Sequence, residues 1–217
     1  MPDETLSSVK FARIVLVRHG RTAWNRVERF RGRADVPLDD TGLVQAEATG
    51  RRVAAEWRPA AIYCGPLDRT VQTADAIGRH CGLAAQPYPG LIDIDYGQWQ
   101  GLTPDEARSR WPDEVDAWYR SPHTAVIPGG EALADVRRRG LTAVQALAAR
   151  HTGETIVLVG HTVINRAILL GVLRLGDDRF WHLRQEPCAV NVLEAAGDDY
   201  VLVSLNETFH LHESIDL

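Results

Sequence analysis

The segment Ile14-Val15-Leu16-Val17-Arg18-His19-Gly20 is the most informative part of this 217-residue chain about its fold. An apolar run of this length, ending in polar residues and a glycine, is typical of a strand buried on both faces in a parallel sheet. The same pattern returns at Thr155-Ile156-Val157-Leu158-Val159-Gly160-His161. Because ligands of open α/β sheets collect beyond the carboxyl ends of the strands, we expect both histidines in one pocket.

Two arginines are expected near the same strand ends. Arg18 directly precedes His19, and Arg69 follows a third apolar segment, Ala61-Ile62-Tyr63-Cys64. A planar guanidinium group binds phosphate through parallel hydrogen bonds. Together, the two histidines and two arginines predict phosphoryl chemistry on a histidine.

Helical and strand patterns alternate along the rest of the chain. Apolar residues recur at helical spacing in four segments, 41–57, 67–80, 131–150 and 163–173. Leu43 is placed on the apolar face of the first of these helices. Gly197-Asp198 joins two alternating segments, 190–193 and 201–205, as a hairpin. This order predicts an α/β fold, a three-layer α/β/α sandwich with a mainly parallel sheet.

The segment 90–130 breaks this regularity. It contains several prolines and glycines and three of the six tryptophans. We interpret it as a small cap inserted into a single domain that covers 1–217, lying over the pocket at the strand ends. Most of its aromatic side chains are expected to pack a local core.

The composition excludes several classes of partner. Lysines and arginines number 24 against 29 aspartates and glutamates, for a net charge of -5. Binding to nucleic acid or to an acidic membrane surface needs a basic face, so neither is expected. The chain lacks a secretory signal pattern and an apolar run of membrane-spanning length, which predicts a soluble protein. Cys64, Cys81 and Cys188 form no close pair, which favours the cytoplasm, and the composition leaves a homodimer open.

A resemblance to a known family begins at Arg18-His19-Gly20-Arg21-Thr22-Ala23-Trp24-Asn25. This segment resembles the signature of the histidine phosphatase superfamily, which includes the phosphoglycerate mutases and in which the strand-end histidine attacks phosphorus. Elementary chemistry agrees, because a neutral imidazole held at one ring nitrogen offers the lone pair of the other. The resemblance continues through 32–38 and 66–74 and covers most of the chain. It implies that His19 is the nucleophile.

The resemblance implies roles for four further residues. Arg69 is the second phosphate clamp, and His161 stabilises the charge that builds on the phosphoryl oxygens. Asn25 matches an amide that contacts phosphate, although an asparagine at this place also serves to cap a loop. Thr162 follows the second histidine, where the family often has a small or amide residue, and is predicted to bind substrate.

The segment Leu91–Gly101 resembles the part of the family that holds the proton donor, usually a glutamate. The matching residue here is Asp93. A carboxyl group in a partly dehydrated pocket is pushed toward its protonated form, so it can give a proton to the leaving oxygen and later take one from water. Aspartate is one methylene shorter than glutamate, so the backbone or the substrate must lie closer. Asp95 is the competing candidate.

Two arginines depart from the family pattern. Arg21 stands where glutamate or glutamine is common, and Arg31 stands where glutamine is common. Both would add positive charge at the mouth of the pocket and favour a substrate with a second anionic group. The alternative is that they form solvated salt bridges with Glu28 or Asp35.

Two other phosphatase classes fit the sequence less well. Asp93-Ile94-Asp95 superficially fits the aspartyl-phosphate motif of the haloacid dehalogenases, a magnesium-dependent class. That motif should end an apolar strand and needs a pocket lysine, whereas the chain has only Lys10, ahead of the first strand. The segment from Cys64 to Arg69 is one residue short of the cysteine phosphatase loop.

Within the resembling family, mutases and phosphatases differ in whether the phosphohistidine passes to a second substrate hydroxyl or to water. The mutases carry a longer insertion with a lysine and paired arginines, while the cap here has no lysine and only Arg120 near its aromatic residues. The sequence therefore favours a phosphomonoesterase that hydrolyses a small phosphorylated metabolite through a phosphohistidine, without a metal or cofactor. A mutase, or a binding module that has lost turnover through the change to Asp93, is the alternative.

Overall fold

The computed structural model describes residues 10–212, and within them a six-stranded sheet has the order β3-β2-β4-β1-β5-β6. The strands are β1 (Ala12–Arg18), β2 (Ala61–Cys64), β3 (Ala85–Pro87), β4 (Thr155–Gly160), β5 (Val190–Ala196) and β6 (Asp199–Glu207). The first four strands of this order run parallel, and β5 and β6 form an antiparallel hairpin at one edge. The predicted mainly parallel sheet is confirmed.

Helices cover both faces of the sheet. They are α1 (Ala23–Arg26), α2 (Asp40–Glu56), α3 (Asp68–Cys81), α4 (Pro104–Arg108), α5 (Pro112–Arg120), α6 (Leu133–Arg150) and α7 (Thr162–Val172). Neighbouring residues of a strand point to opposite faces, so Val15 packs with Val53 of α2 in one apolar cluster. Leu16 packs with Leu147 of α6 in the other. The result is the predicted three-layer sandwich.

The register of the central strands brings the two histidines together. β1 and β4 are parallel, with Arg18 paired with Gly160. The backbone N–H of His19 donates to the carbonyl of Gly160 at 3.0 Å. His19 and His161 therefore leave the sheet side by side, and His161 is also the N-cap residue of α7.

Each predicted helix begins and ends within two residues of an observed helix. The placement of Leu43 is wrong, because its side chain is 46% exposed. The buried stripe of α2 runs through the small or β-branched residues Gly42, Ala46, Thr49 and Val53. Leu43 is the residue after Gly42, so its side chain points to one side of this buried stripe and toward solvent.

The segment 90–130 contains α4, α5 and short 3-10 turns rather than long elements. Trp99 and Trp118 are buried in it, and the half-buried Trp111 packs against the same apolar cluster. The predicted packing role of these tryptophans is confirmed. Between residues 10 and 212, no helix has the length and apolar character needed to cross a membrane.

Candidate active site

His19 is held as a neutral imidazole at the end of β1. Its Nδ1 lies 2.7 Å from the carbonyl oxygen of Gly20, which only accepts hydrogen bonds, so Nδ1 carries the proton. Burial, followed by the charge of Arg69, lowers the pKa of His19 well below its usual value. The ring therefore stays neutral at physiological pH, with its lone pair on Nε2.

His161 has the opposite tautomer. The Nε–H of Arg69 donates to Nδ1 of His161 at 3.1 Å, so the proton of the neutral ring lies on Nε2. This Nε2 is buried and has no hydrogen-bond partner. The rings of His19 and His161 meet edge to face with centroids 5.2 Å apart. A buried donor without a partner is costly, and it is expected where a ligand will supply the acceptor.

Arg69, at the start of α3, is fully buried. Its two Nη atoms donate to the carbonyls of Gly32 at 2.7 Å and Ala34 at 2.8 Å, which fixes the guanidinium beside His161. Burial lowers the pKa of Arg69 to about 10, so the group remains cationic at neutral pH. The loop after α1 thus holds the arginine that sets the tautomer of His161.

Arg18 lies next to this pair and faces a cavity. Its Nη1 donates to the carbonyl of Gln185, while its buried Nε has no partner. Burial, followed by the charge of Arg31, lowers the pKa of Arg18 to about 9, which also leaves it cationic at neutral pH. A cationic donor with an unused buried N–H is suited to an anionic ligand.

Asp93 is the carboxylate that reaches the histidines. Its Oδ2 lies 3.8 Å from Nη2 of Arg69 and 3.9 Å from Nδ1 of His161, and its Oδ1 is buried without a partner. Burial raises the pKa of Asp93 despite the opposing charge of Arg69. Asp95 lies outside the cluster, where it pairs with Arg33 at 3.1 Å. The geometry therefore brings Asp93, and not its competitor Asp95, to the site.

A cavity of about 430 Å³ opens over this cluster. Five of the predicted site residues line it: Arg18, Asn25, Arg31, Asp93 and Thr162. The three others are almost completely buried: His19 follows Arg18 in the chain, His161 precedes Thr162, and Arg69 lies 3.8 Å from Asp93. The fold therefore brings all eight predicted site residues to one place.

The loop after β1 uses its polar residues in several ways. Oδ1 of Asn25 accepts from the backbone N–H of Thr22 at 2.9 Å, so Asn25 caps α1 while it also lines the cavity. Arg31 donates to the carbonyl of Trp24 at 3.1 Å and lines the cavity as well. Arg21 does not line it: its Nε pairs with Asp39 at 2.8 Å. Arg21 therefore forms a salt bridge, as the alternative interpretation predicted, but its partner is Asp39, directly before α2, and not Glu28 or Asp35.

The sequence interpretation missed Arg166. This residue lines the cavity, and its guanidinium lies 5.1 Å from the ring centroid of Phe180 and 5.0 Å from that of Trp181. Its buried Nε has no partner. Arg166 is four residues after Thr162 in α7, so helical spacing from a predicted site residue was the signal that could have found it.

Cys64 does not fit a cysteine phosphatase. Burial raises the pKa of its thiol to about 12. The thiolate is the nucleophile in that class, and a thiol with this pKa stays protonated at neutral pH. Among the described residues, no group of three or more histidine, cysteine, aspartate or glutamate side chains is arranged to hold a metal ion.

Comparison with known proteins identifies the family. The model of the histidine phosphatase superfamily (branch 1) matches residues 14–208, and the chain belongs to this family. Phosphoserine phosphatase 1 of Hydrogenobacter thermophilus is 32% identical over 201 residues, which cover 93% of this chain and 95% of that protein. The metal-independent phosphoserine phosphatase of Arabidopsis thaliana is 32% identical, covering 91% of this chain and 82% of that protein.

Among solved structures, Bacillus stearothermophilus YhfR has the same fold. It superposes with a TM-score of 0.87 at 30% identity, and the match covers 92% of this chain and 99% of that one. The predicted family and fold are confirmed, and the chain is a phosphatase of the histidine phosphatase superfamily.

Proposed function

We propose that this phosphatase hydrolyses small phosphate monoesters through a phosphohistidine on Nε2 of His19. One observation carries the proposal. His19 is neutral, its Nδ1 is committed to the carbonyl of Gly20, and its other ring nitrogen is left as a nucleophile. The surrounding groups supply positive charge and an unused donor, which is the environment that a transferring phosphoryl group needs.

In the first step, the lone pair of Nε2 of His19 attacks phosphorus and the bond to the ester oxygen breaks. Asp93 acts here in its protonated form, which burial favours by raising the pKa of its carboxyl, and gives its proton to the leaving oxygen. Arg18, Arg69 and the free Nε2–H of His161 stabilise the charge on the phosphoryl oxygens. The products are the alcohol, a phosphohistidine and the Asp93 carboxylate.

In the second step, water attacks the phosphohistidine. The Asp93 carboxylate takes a proton from the attacking water as its oxygen bonds to phosphorus, and the bond between nitrogen and phosphorus breaks. Inorganic phosphate leaves, and both His19 and Asp93 return to their starting protonation states. The acceptor, water in place of a second substrate hydroxyl, distinguishes this hydrolysis from a mutase reaction.

The cavity supports a small and anionic substrate. Its volume of about 430 Å³ is in the range of pockets for metabolites. Arg31 and Arg166 also line it. A carboxylate or second phosphate on the substrate would pair with them. Relatives named phosphoserine phosphatase make phosphorylated amino acids and hydroxy acids the first substrates to test.

Rapid-quench labelling with a phosphate-labelled substrate tests the mechanism. We expect an adduct that is acid-labile and base-stable in the unchanged protein and absent in His19→Ala, which should also lose turnover. Failure to trap the adduct under single-turnover conditions, or near-normal rates in His19→Ala, would refute the nucleophile. 3-Phosphoglycerate should be followed for isomerisation as well as hydrolysis, since isomerisation would identify a mutase.

Other parts of the sequence interpretation stay predictions. These are the cap function of 90–130, the single domain, the homodimer, the cytoplasmic location, and independence from nucleic acid, cofactors and metal. Full loss of activity after chelation with EDTA would contradict the last of these.

A further inference from the structure

One guanidinium group joins α6 to the chain segment that carries Asp93. Nη1 of Arg139 lies 3.2 Å from the carbonyl oxygen of Gly90 and 2.5 Å from that of Ile92. Nη2 lies 3.0 Å from the carbonyl oxygen of Asp93 itself. Three carbonyls within four consecutive residues therefore converge on one side chain from a distant helix.

The remaining donors of Arg139 are also in use. Nε donates to Oε1 of Glu131 at 2.8 Å, and Nη2 donates to Oε2 of the same carboxylate at 3.0 Å. A guanidinium has five N–H donors in a fixed planar fork, and the geometry engages all five. Glu131 therefore orients the guanidinium by binding one of its edges, and the other edge binds backbone carbonyls of residues 90–93.

We infer that Arg139 is a positioning residue that sets the reach of Asp93 toward the leaving oxygen. Arg139 does not line the cavity, so it acts through Asp93 rather than on the substrate. Asp93 replaces a longer glutamate, so its carboxyl depends on where the backbone stands. Anchoring the carbonyls of residues 92 and 93 fixes that backbone. This inference rests on the proposed function, in which Asp93 is the proton donor.

The geometry requires an arginine at this position. Lysine places one compact charge with three donors and has no planar fork, so it cannot hold both the Glu131 carboxylate and three carbonyls. An Arg139→Lys substitution keeps the charge and most of the side-chain volume. It therefore removes the anchoring geometry while changing the electrostatic field around Asp93 only slightly.

The test compares two substrates of similar shape, phenyl phosphate and p-nitrophenyl phosphate. The nitrophenolate leaves without much help from an acid, whereas the phenolate needs the proton. For Arg139→Lys we expect kcat/KM to fall by about tenfold or more with phenyl phosphate and by less than about threefold with p-nitrophenyl phosphate. A residue that only maintains the fold would lower both rates equally.

Arg137→Lys is the matched control. Arg137 lies on the same helix, is buried to a similar extent, and anchors the carbonyl of Leu175 at 2.7 Å and Asp177 at 2.9 Å. That segment does not carry the proton donor. The control should lose stability to a similar degree but keep the ratio of the two rates.

A double-substitution cycle separates this inference from the proposed function. If Arg139 acts through Asp93, Arg139→Lys should cause no further loss with phenyl phosphate in an Asp93→Asn background. A loss that persists there, or equal losses for both substrates, would overturn the role of Arg139. Absence of leaving-group selectivity in Asp93→Asn alone would instead refute Asp93 as the donor. If Arg139→Lys does not fold, Glu131→Gln should give a weaker loss with the same selectivity, and equal losses in that variant would also overturn the inference.

Discussion

A single methyl group added at Gly65 should displace the second histidine. Gly65 directly follows β2, and a Cβ there would stand 2.9 Å from Nε2 of His161 and 3.0 Å from the carbonyl oxygen of Leu91. Ordinary van der Waals contact starts at about 3.4 Å, so the imidazole must move by about half an ångström, because the Leu91 backbone yields less than a side chain does. Gly65 does not have a positive φ, so alanine adds this clash without backbone strain.

The size of the effect follows from that displacement. A misplacement of about 1 Å costs about 100-fold in rate, so half of that distance is expected to cost about tenfold in kcat/KM. Overpacking should also lower the free energy of unfolding by about 1–3 kcal/mol. Steady-state hydrolysis of p-nitrophenyl phosphate and thermal unfolding followed by circular dichroism measure the two effects separately.

Gly78→Ala provides the control for Gly65→Ala. Its added Cβ would meet the carbonyl of Leu83 at 2.4 Å, a more severe clash. Gly78 lies in α3 nine residues after Arg69, or about 13 Å along the helix. We expect Gly78→Ala to be destabilised with nearly normal kcat/KM. An unchanged kcat/KM in Gly65→Ala would refute the claim that the position of His161 is critical.

Three further predictions concern titration and charge. As the pH is lowered, kcat/KM should begin to fall only below pH 6.5, because the lowered pKa of His19 keeps its ring unprotonated at pH 6.5. An acid limb centred above pH 6.5 would contradict this. Burial lowers the pKa of His210 to about 4, so the unfolded chain binds a proton that the folded chain excludes. Stability should therefore fall between about pH 6.5 and pH 4, and less steeply in His210→Gln, as denaturant titrations at several pH values will measure. Arg166→Gln should raise KM for substrates with a second anionic group more than for phenyl phosphate, and equal KM changes would exclude Arg166 from recognition.

The strand and helix patterns in the sequence predicted most of the fold. The apolar runs before His19 and His161 and the helical spacing between them gave elements close to those observed. Burial on both faces leaves a local signature in the chain, because each residue of such a strand must be apolar. The likeness of residues 18–25 and 66–74 to a known signature then predicted which residues are the nucleophile and the second phosphate clamp.

Long-range side-chain contacts could not be read from the chain. The tautomer of His161 depends on Arg69, and the anchoring of Asp93 depends on Arg139, 46 residues away. Arg21 pairs with Asp39 rather than with Glu28 or Asp35, the carboxylates expected from the sequence. For each of these contacts, the sequence offers other partners of the same charge, and the spacing along the chain does not distinguish between them.

The order of residues specifies the layer architecture, the strand ends that carry the histidines and the class of chemistry, because periodic burial and backbone turns are encoded locally. The folded arrangement sets which ring nitrogen of each histidine is free, which carboxylate reaches the site and which arginines face the cavity. Hydrogen bonds and ion pairs depend on separations and angles of a few tenths of an ångström. Those are set by how distant helices pack on the sheet, and no segment of the chain specifies them alone.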